Sequence, residues 1–197
     1  MKKTISAITA VILLLAVLYA CGTKPSGENT LGSLPDTSSP SGGDEADSLL
    51  AQINAVTLDG EEMTGADFAG EKLTVLNVWA TWCPPCISEL PHLQEVSEAY
   101  ADKGVTVVGV MHDGINRLFE PQEDVIKTGK ALLADAGADY TIILPDATLI
   151  NGPISTMQYF PTTFFINAGG EIIKTIIGGK DAAGWGKEID GALSDIS

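Results

Sequence analysis

Residues 77–86 read Asn-Val-Trp-Ala-Thr-Trp-Cys-Pro-Pro-Cys. The first three complete Leu73–Trp79, an apolar and β-branched run of the kind found in buried central strands. Past the second cysteine, apolar side chains recur at helical spacing over Ile87–Ala101. The sequence therefore predicts that a buried strand leads through a short turn into a helix whose N-terminus carries both cysteines.

Cys83 and Cys86 are predicted to form a redox pair at this helix N-terminus. The positive end of the helix dipole favours a thiolate over a thiol there. Two intervening residues let both sulfurs come within bonding distance. We therefore expect Cys83 to be the exposed nucleophile and Cys86, one turn further in, to be the resolving thiol. Pro84 and Pro85 suit a first helical turn, where missing N–H groups cost little.

The same two prolines remove amide donors that could stabilise the Cys83 thiolate, so we expect a more reducing pair than one with donor-rich intervening residues. Two other uses of the cysteines remain open. A structural zinc site needs four ligands, and only His92 and His112 could complete it. A purely structural disulfide would restrain very little chain. We expect neither a metal nor a cofactor.

The segment 49–197 alternates strand-like and helix-like patterns, which predicts an α/β fold with a mixed central sheet. Asp59-Gly60 marks the turn of an N-terminal β-hairpin. Other expected strands are Val105–Met111, Tyr140–Leu144, Thr162–Asn167 and Glu171–Ile177. Further helices are expected over Gln122–Ala136, within Asp146–Thr156 and from the cap Asp181 to Leu193.

Charge and cysteine content exclude several classes of protein. The 197 residues include 26 Asp+Glu against 11 Lys+Arg, a net charge of −15. Nucleic-acid binding needs clustered basic residues, so we expect no nucleic-acid partner. Three cysteines are too few for a disulfide-stapled scaffold, and the length suits one domain with an apolar core. We expect a monomer.

The N-terminus has the pattern of an export signal. Residues 1–20 combine two early lysines with an apolar run that ends in small residues, which predicts a lipoprotein signal peptide. Leu18-Tyr-Ala-Cys21 looks like a bacterial lipobox, with Cys21 as the lipidated residue. Residues 21–48 are rich in Gly, Pro, Ser and Thr and are predicted to form a flexible disordered tether. The expected location is extracytoplasmic and membrane-anchored.

Taken with Glu89-Leu-Pro91 and Phe160-Pro-Thr-Thr163, residues 77–86 resemble the thioredoxin superfamily. Within that superfamily the chain looks like the membrane-anchored TlpA/ResA-type thiol-disulfide oxidoreductases, and the resemblance covers roughly residues 50–195. The resemblance implies a thioredoxin fold, in which helices flank a central mixed sheet, extended here by the N-terminal β-hairpin and an inserted helical segment (113–137). It also implies an exported protein that works as a reductant.

The resemblance implies roles for single residues. Pro161 matches the family's cis-proline, which would place Phe160 beside the cysteines, where its backbone can pair with a client. Phe160, Pro161 and Trp82, with Pro84 and Pro85, are the predicted substrate-binding residues. His112 follows a predicted strand at the edge that should carry the site, as a substrate contact or a solvated loop residue.

Glu89 lies three residues after Cys86 on the same predicted helix. In the ResA-type group the matching acid tunes the cysteines and relays protons, which makes Glu89 a candidate catalytic residue. Alternatively, it is a first-turn acid that favours the helix dipole and faces water. Asn77 stands where classical thioredoxin has a buried acid, which leaves the proton role to Glu89.

The function expected from these residues is reduction of disulfides in exported proteins. Apocytochrome c and a methionine sulfoxide reductase are candidate clients, and the resemblance implies a membrane electron donor of the CcdA/DsbD type. A peroxiredoxin-type thiol peroxidase is the alternative. It would need a proline ahead of the cysteine, which is absent, and an activating arginine, for which Arg117 is the only candidate. A copper chaperone would need CxxxC spacing, which is also absent.

Overall fold

The computed structural model describes residues 48–197. The expected signal peptide, the lipobox with Cys21 and residues 21–47 of the tether lie outside the described residues. Within the described part, none of the helices is both long and apolar enough to cross a bilayer.

Seven strands of the described region form one mixed sheet in the order β2-β1-β5-β4-β3-β6-β7. Strands β3, β4 and β5 are parallel, and the other neighbours pair antiparallel. The strands are β1 Asn54–Thr57, β2 Glu62–Thr64, β3 Leu73–Trp79, β4 Val105–Met111, β5 Ile142–Leu144, β6 Thr162–Asn167 and β7 Ile172–Ile177. This confirms the predicted mixed α/β sheet and its N-terminal β-hairpin.

In residues 48–197 four α-helices connect and cover the sheet: α1 Pro84–Tyr100, α2 Glu123–Ala136, α3 Ala147–Asn151 and α4 Ala182–Asp195. Short 3₁₀ turns occupy Leu50–Gln52, Gly65–Phe68, Ala101–Lys103, His112–Gly114 and Pro153–Thr156. The predicted stop of α2 is confirmed, since Gly137 has φ +64°, a conformation that glycine adopts without a Cβ clash.

Strand β3 is the centre of the core. All seven of its residues are buried, as its continuous apolar run predicts for a strand covered on both faces. One apolar cluster contains Trp79, Leu90, Phe165 and Trp185. Leu76 belongs to a second, separate apolar cluster. Because β3 and β4 run parallel in register from Leu73↔Val105 to Trp79↔Met111, their carboxyl ends lie together.

Several predicted boundaries differ from the structure by one to three residues, and two of them have a clear physical reason. Strand β5 begins at Ile142 instead of Tyr140, because the parallel ladder with β4 pairs Ile142 and Ile143 alone while the buried Tyr140 packs in the core. Helix α1 begins at Pro84, three residues before the apolar periodicity at Ile87 becomes visible. The prolines supply the first turn and carry no apolar spacing of their own.

Asp146 joins two elements that are far apart in sequence. Its Oδ1 accepts a hydrogen bond of 2.8 Å from the Leu149 backbone N–H and so caps α3. Its Oδ2 accepts a bond of 2.7 Å from the Asn54 backbone N–H at the start of β1. One carboxylate therefore fixes the N-terminal β-hairpin against the short helix.

We expect Asp146→Ala to lower the free energy of unfolding by about 2 kcal/mol, since it removes a helix cap and a second charge-assisted hydrogen bond. Urea denaturation at pH 7 measures the change. Asp135→Ala, which alters an exposed acid on α2, is the matched control and should stay within about 0.5 kcal/mol of the unmodified protein. Equal losses in the two variants would contradict the double role of Asp146.

Candidate active site

Two chain segments meet at the carboxyl end of β3. The first is the turn that runs from Trp79 to Cys83, where Cys83 is the N-cap residue of α1. The second is the start of β6, because Val78 pairs with Thr162 in the antiparallel β3–β6 ladder. The Phe160–Pro161 peptide bond just before Thr162 is cis, as the resemblance implied.

Cys83 and Cys86 form a disulfide, with an S–S distance of 2.11 Å and 5.3 Å between the Cα atoms. The backbone N–H groups of Cys86 and Ile87 both donate to the Cys83 carbonyl at 3.1 Å, which closes the first turn of α1 around the pair. The predicted pairing of the two cysteines on the first helical turn is therefore seen in the structure.

The expectation that Cys83 is exposed is wrong for this disulfide form. Cys83 is only 4% exposed and Cys86 is fully buried. Cys83 belongs to the apolar cluster, because its sulfur is bonded to a residue one turn inside the helix. The order of accessibility still matches the prediction, since the little surface that the pair offers belongs to Cys83.

An aromatic rim borders the cysteines. Trp82 is 64% exposed, and its ring meets the Phe160 ring edge-on at 5.4 Å between centroids. His112 meets the same Phe160 ring from another side at 5.2 Å. His112 is half-buried against this ring, so it is only partly solvated. Burial lowers the pKa of His112 and Asp113 opposes this, so the imidazole favours its neutral form near pH 7.

Asp113 fixes the turn that leads into the cysteines. Both of its carboxylate oxygens accept from the Thr81 backbone N–H, at 3.2 and 3.1 Å, and Oδ2 also accepts from the Thr81 hydroxyl at 2.6 Å. The inserted segment thus contributes Asp113 to the CxxC turn, while the adjacent His112 packs against the cis-proline segment. No role was predicted for Asp113, although its place after a central parallel strand was a usable signal.

Glu89 lies on α1 one turn beyond Cys86, and only 2% of its surface is exposed. The alternative that it faces water is therefore wrong. The Asn77 amide nitrogen donates to Glu89 Oε1 at 2.9 Å and to the Thr163 hydroxyl oxygen at 3.0 Å. Loss of hydration on burial raises the pKa of Glu89 to about 7 from an ordinary 4.5, and the Asn77 hydrogen bond only partly opposes it.

Other buried polar groups surround this carboxyl. The Lys180 backbone and the Trp185 indole lie close enough to favour its charged form, as smaller effects than the Asn77 bond. Burial, together with the charge of Glu89, raises the pKa of the Tyr140 hydroxyl, which stays protonated. Thr163, Trp185 and Tyr140 were not predicted as part of the site, because they come from three separate elements and no local pattern links them to Glu89.

Together these features determine which reaction the site can carry out. The disulfide can be opened by an incoming thiolate at Cys83, and a carboxyl with a pKa near 7 lies one helical turn from Cys86 to take or give a proton. The exposed ring of Trp82 and the edge of Phe160 offer apolar contact area next to the reacting sulfur. The site is suited to thiol–disulfide exchange beside a carboxyl that titrates near neutral pH.

Comparisons with known proteins agree with this geometry. The Redoxin family model matches residues 32–193. The chain is 28% identical to the thiol-disulfide oxidoreductase ResA of Oceanobacillus iheyensis over 189 residues, covering 94% of this chain and 84% of the relative. It is 32% identical to the sporulation thiol-disulfide oxidoreductase A of Bacillus subtilis over 122 residues, which is 62% of this chain and 68% of the relative.

Comparison with solved structures agrees with these sequence relatives. A thioredoxin-family thiol:disulfide interchange protein from Chlorobium tepidum matches with a TM-score of 0.59 and 28% identity, covering 72% of this chain and 92% of that one. StoA from Bacillus subtilis matches with a TM-score of 0.52 and 27% identity, covering 68% and 93%. The chain therefore belongs to the Redoxin family, as a thioredoxin-fold thiol-disulfide oxidoreductase of the TlpA/ResA-like type.

Proposed function

We propose that the Cys83–Cys86 pair reduces disulfides of exported proteins outside the cytoplasm. The observation that carries the proposal is a buried CxxC disulfide with Glu89, whose pKa is about 7, one helical turn away. The reduced pair must lose two protons and two electrons to each client disulfide. A nearby carboxyl that titrates near neutral pH can accept a proton within the site.

The proposed reaction has two exchange steps. The Cys83 thiolate attacks one sulfur of the client disulfide, which forms a mixed disulfide and releases the first client thiolate. Glu89 then takes the proton of the Cys86 thiol, and the Cys86 thiolate attacks Cys83 Sγ. This forms the Cys83–Cys86 disulfide and releases the second client thiolate. Both client thiolates take up protons from solvent.

The reduced form must then be restored by a dithiol electron donor. We propose a membrane donor of the CcdA/DsbD type, whose own dithiol is oxidised as the Cys83–Cys86 bond is cleaved. Apocytochrome c and an exported methionine sulfoxide reductase are the proposed clients, because both have thiols that oxidise outside the cytoplasm. Trp82, Pro84, Pro85, Phe160 and Pro161 form the proposed client contact surface.

The N-terminal residues define the proposed location. Cleavage before Cys21 and lipidation of its thiol would hold the domain at the membrane surface through two acyl chains, enough for stable anchoring. Removal of residues 1–20 takes away two lysines and no acid, which changes the net charge from −15 to −17. The negative charge would keep the domain off anionic lipid and free to meet clients.

No observation favours the thiol peroxidase. Its chemistry uses an arginine to activate the attacking cysteine, and the only arginine of the chain is Arg117, exposed in the loop after β4. In the turn before Cys83, the Thr81 backbone N–H and hydroxyl donate to the acidic residue Asp113, and no arginine takes part in these described contacts.

We expect Cys86→Ser to accumulate mixed disulfides at Cys83, because the resolving thiol is gone while the nucleophile remains. The measurement is affinity purification from the membrane fraction of the source cells, followed by release of bound protein with dithiothreitol. The double variant Cys83→Ser/Cys86→Ser is the control for adducts formed through Cys21. Equal recovery of exported proteins from the two variants would rule out the proposed reaction.

We expect the Cys83–Cys86 couple to have a reduction potential below about −150 mV, on the scale where strong oxidants lie near −120 mV, because Pro84 and Pro85 provide no amide donors to stabilise the thiolate. Equilibration with glutathione or dithiothreitol buffers at pH 7 measures the potential. A value above that limit would contradict a reducing role.

The raised pKa of Glu89 predicts a pH-dependent stability. Between pH 4.5 and 7 the folded protein holds the proton of Glu89 more tightly than the unfolded chain does, so stability falls as the pH rises through this range. The full loss is about 3 kcal/mol for a shift of this size. Glu89→Gln should abolish this pH-dependent part of the stability. Glu95→Gln, which alters an exposed acid on the same helix, should keep it.

Urea denaturation of the oxidised proteins at pH 4.5, 6 and 8 provides the measurement. The difference in stability between the unmodified protein and Glu89→Gln should shift steadily in favour of the variant as the pH rises. A difference that is constant across the three pH values would mean that Glu89 titrates normally.

A further inference from the structure

The two carboxylate oxygens of Glu89 have different environments. Oε1 accepts from the Asn77 amide, whose other N–H is held by Thr163. Oε2 is buried and has no hydrogen bond of good geometry among the described residues, although the Lys180 backbone and the Trp185 indole lie near the carboxyl. Asn77, held in place by Thr163, therefore donates to Oε1 in either charge state, which leaves Oε2 as the atom that can carry a proton.

Gly179 lies directly over this oxygen. A Cβ placed on Gly179 would lie 3.1 Å from Glu89 Oε2 and 3.2 Å from the Pro85 carbonyl oxygen, closer than nearly all real Cβ contacts. Gly179 itself is exposed. A Cβ at position 179 would therefore occupy the space between this exposed residue and the buried oxygen.

We propose that Gly179 is the proton port of the active site, through which Glu89 exchanges its Oε2 proton with solvent. The inference rests on the proposed proton role of Glu89. In each turnover Oε2 would take one proton from the Cys86 thiol and pass it to water or a buffer base at Gly179. When the electron donor reduces the disulfide again, a proton would enter the same way and return to the Cys86 thiolate.

The other described groups around Glu89 leave the path past Gly179 as the one open to a proton. Asn77 and Thr163 block access to the carboxyl from β3 and β6, and the Trp185 indole blocks access from α4. Tyr140 stays protonated, so it takes no proton from Glu89. The Lys180 ammonium lies beside Gly179 in sequence, but it pairs with Glu188 Oε1 at 3.1 Å.

The test compares Gly179→Ala with Gly191→Ala. Gly191 is an exposed glycine on α4 where a Cβ would meet nothing within 4 Å. Gly179 does not have a left-handed φ, so alanine fits its backbone. The alanine methyl should dehydrate Oε2 further and raise the pKa of Glu89 by about 0.5–1 unit, read from its side-chain carboxyl ¹³C shift. Gly191→Ala should leave that pKa unchanged.

The second readout is the rate at which Cys86 resolves a mixed disulfide. Reduced protein reacts with 5,5′-dithiobis(2-nitrobenzoate), and the second thionitrobenzoate is released when Cys86 attacks, with Cys21→Ser in every variant so that only two thiols react. Near pH 7, Gly179→Ala should resolve about two- to five-fold more slowly than Gly191→Ala, and the difference should disappear well above the raised pKa. A purely structural disturbance would persist at every pH.

Glu89→Gln and Gly179→Ser distinguish a failure of the proposed proton role from a failure of the proposed port. If Glu89→Gln resolves as fast as the unmodified protein at every pH, the proton role of Glu89 itself is wrong. If Glu89→Gln is slow but Gly179→Ala matches Gly191→Ala, only the port is wrong. Gly179→Ser adds the same Cβ with a hydroxyl that can donate to Oε2, so it should give a lower Glu89 pKa than Gly179→Ala. Equal values would overturn the contact.

Discussion

The active site depends on the pairing of β3 with strands on both of its sides. Its carboxyl end leads into the CxxC turn, the parallel β4 brings His112 and Asp113 to the same edge, and the antiparallel β6 brings Pro161. These pairings are fixed because β3 is buried on both faces, where a shift of one residue would exchange the side chains of the two cores. The catalytic geometry is thus a consequence of strand register.

The proposed proton transfer also depends on placing an acid where water cannot stabilise its charge. A solvated glutamate would be fully ionised at neutral pH and could hold no proton for the cysteines. Burial moves the pKa of Glu89 to about 7, and the Asn77 hydrogen bond keeps it from rising further. Classical thioredoxin has an acid at the position of Asn77. Here an amide fills that position and orients the acid that comes from the helix.

The sequence predicted what local pattern and motif can encode. The bounds of β3 and β4 follow from continuous apolar runs, and the disulfide follows from cysteine spacing at a strand–helix junction. The burial of Cys83 and the contact of His112 with Phe160 were not predictable, because they depend on segments that meet only in the folded chain. The choice between a buried and a solvated Glu89 was open for the same reason, since the side chains that enclose it come from β3, β6 and α4.

The loop after β7 links the proposed client-contact residue Pro161 to the proposed proton port at Gly179. The Gly178 backbone N–H donates to the Pro161 carbonyl oxygen at 2.9 Å, so the residue next to Gly179 is bonded to the cis-proline. A client that docks across Pro161 would then lie over Gly179 and shield it from water. Under that arrangement a bound client would slow exchange of the Glu89 proton with water. Discharge of the proton would then follow departure of the product in the reaction cycle.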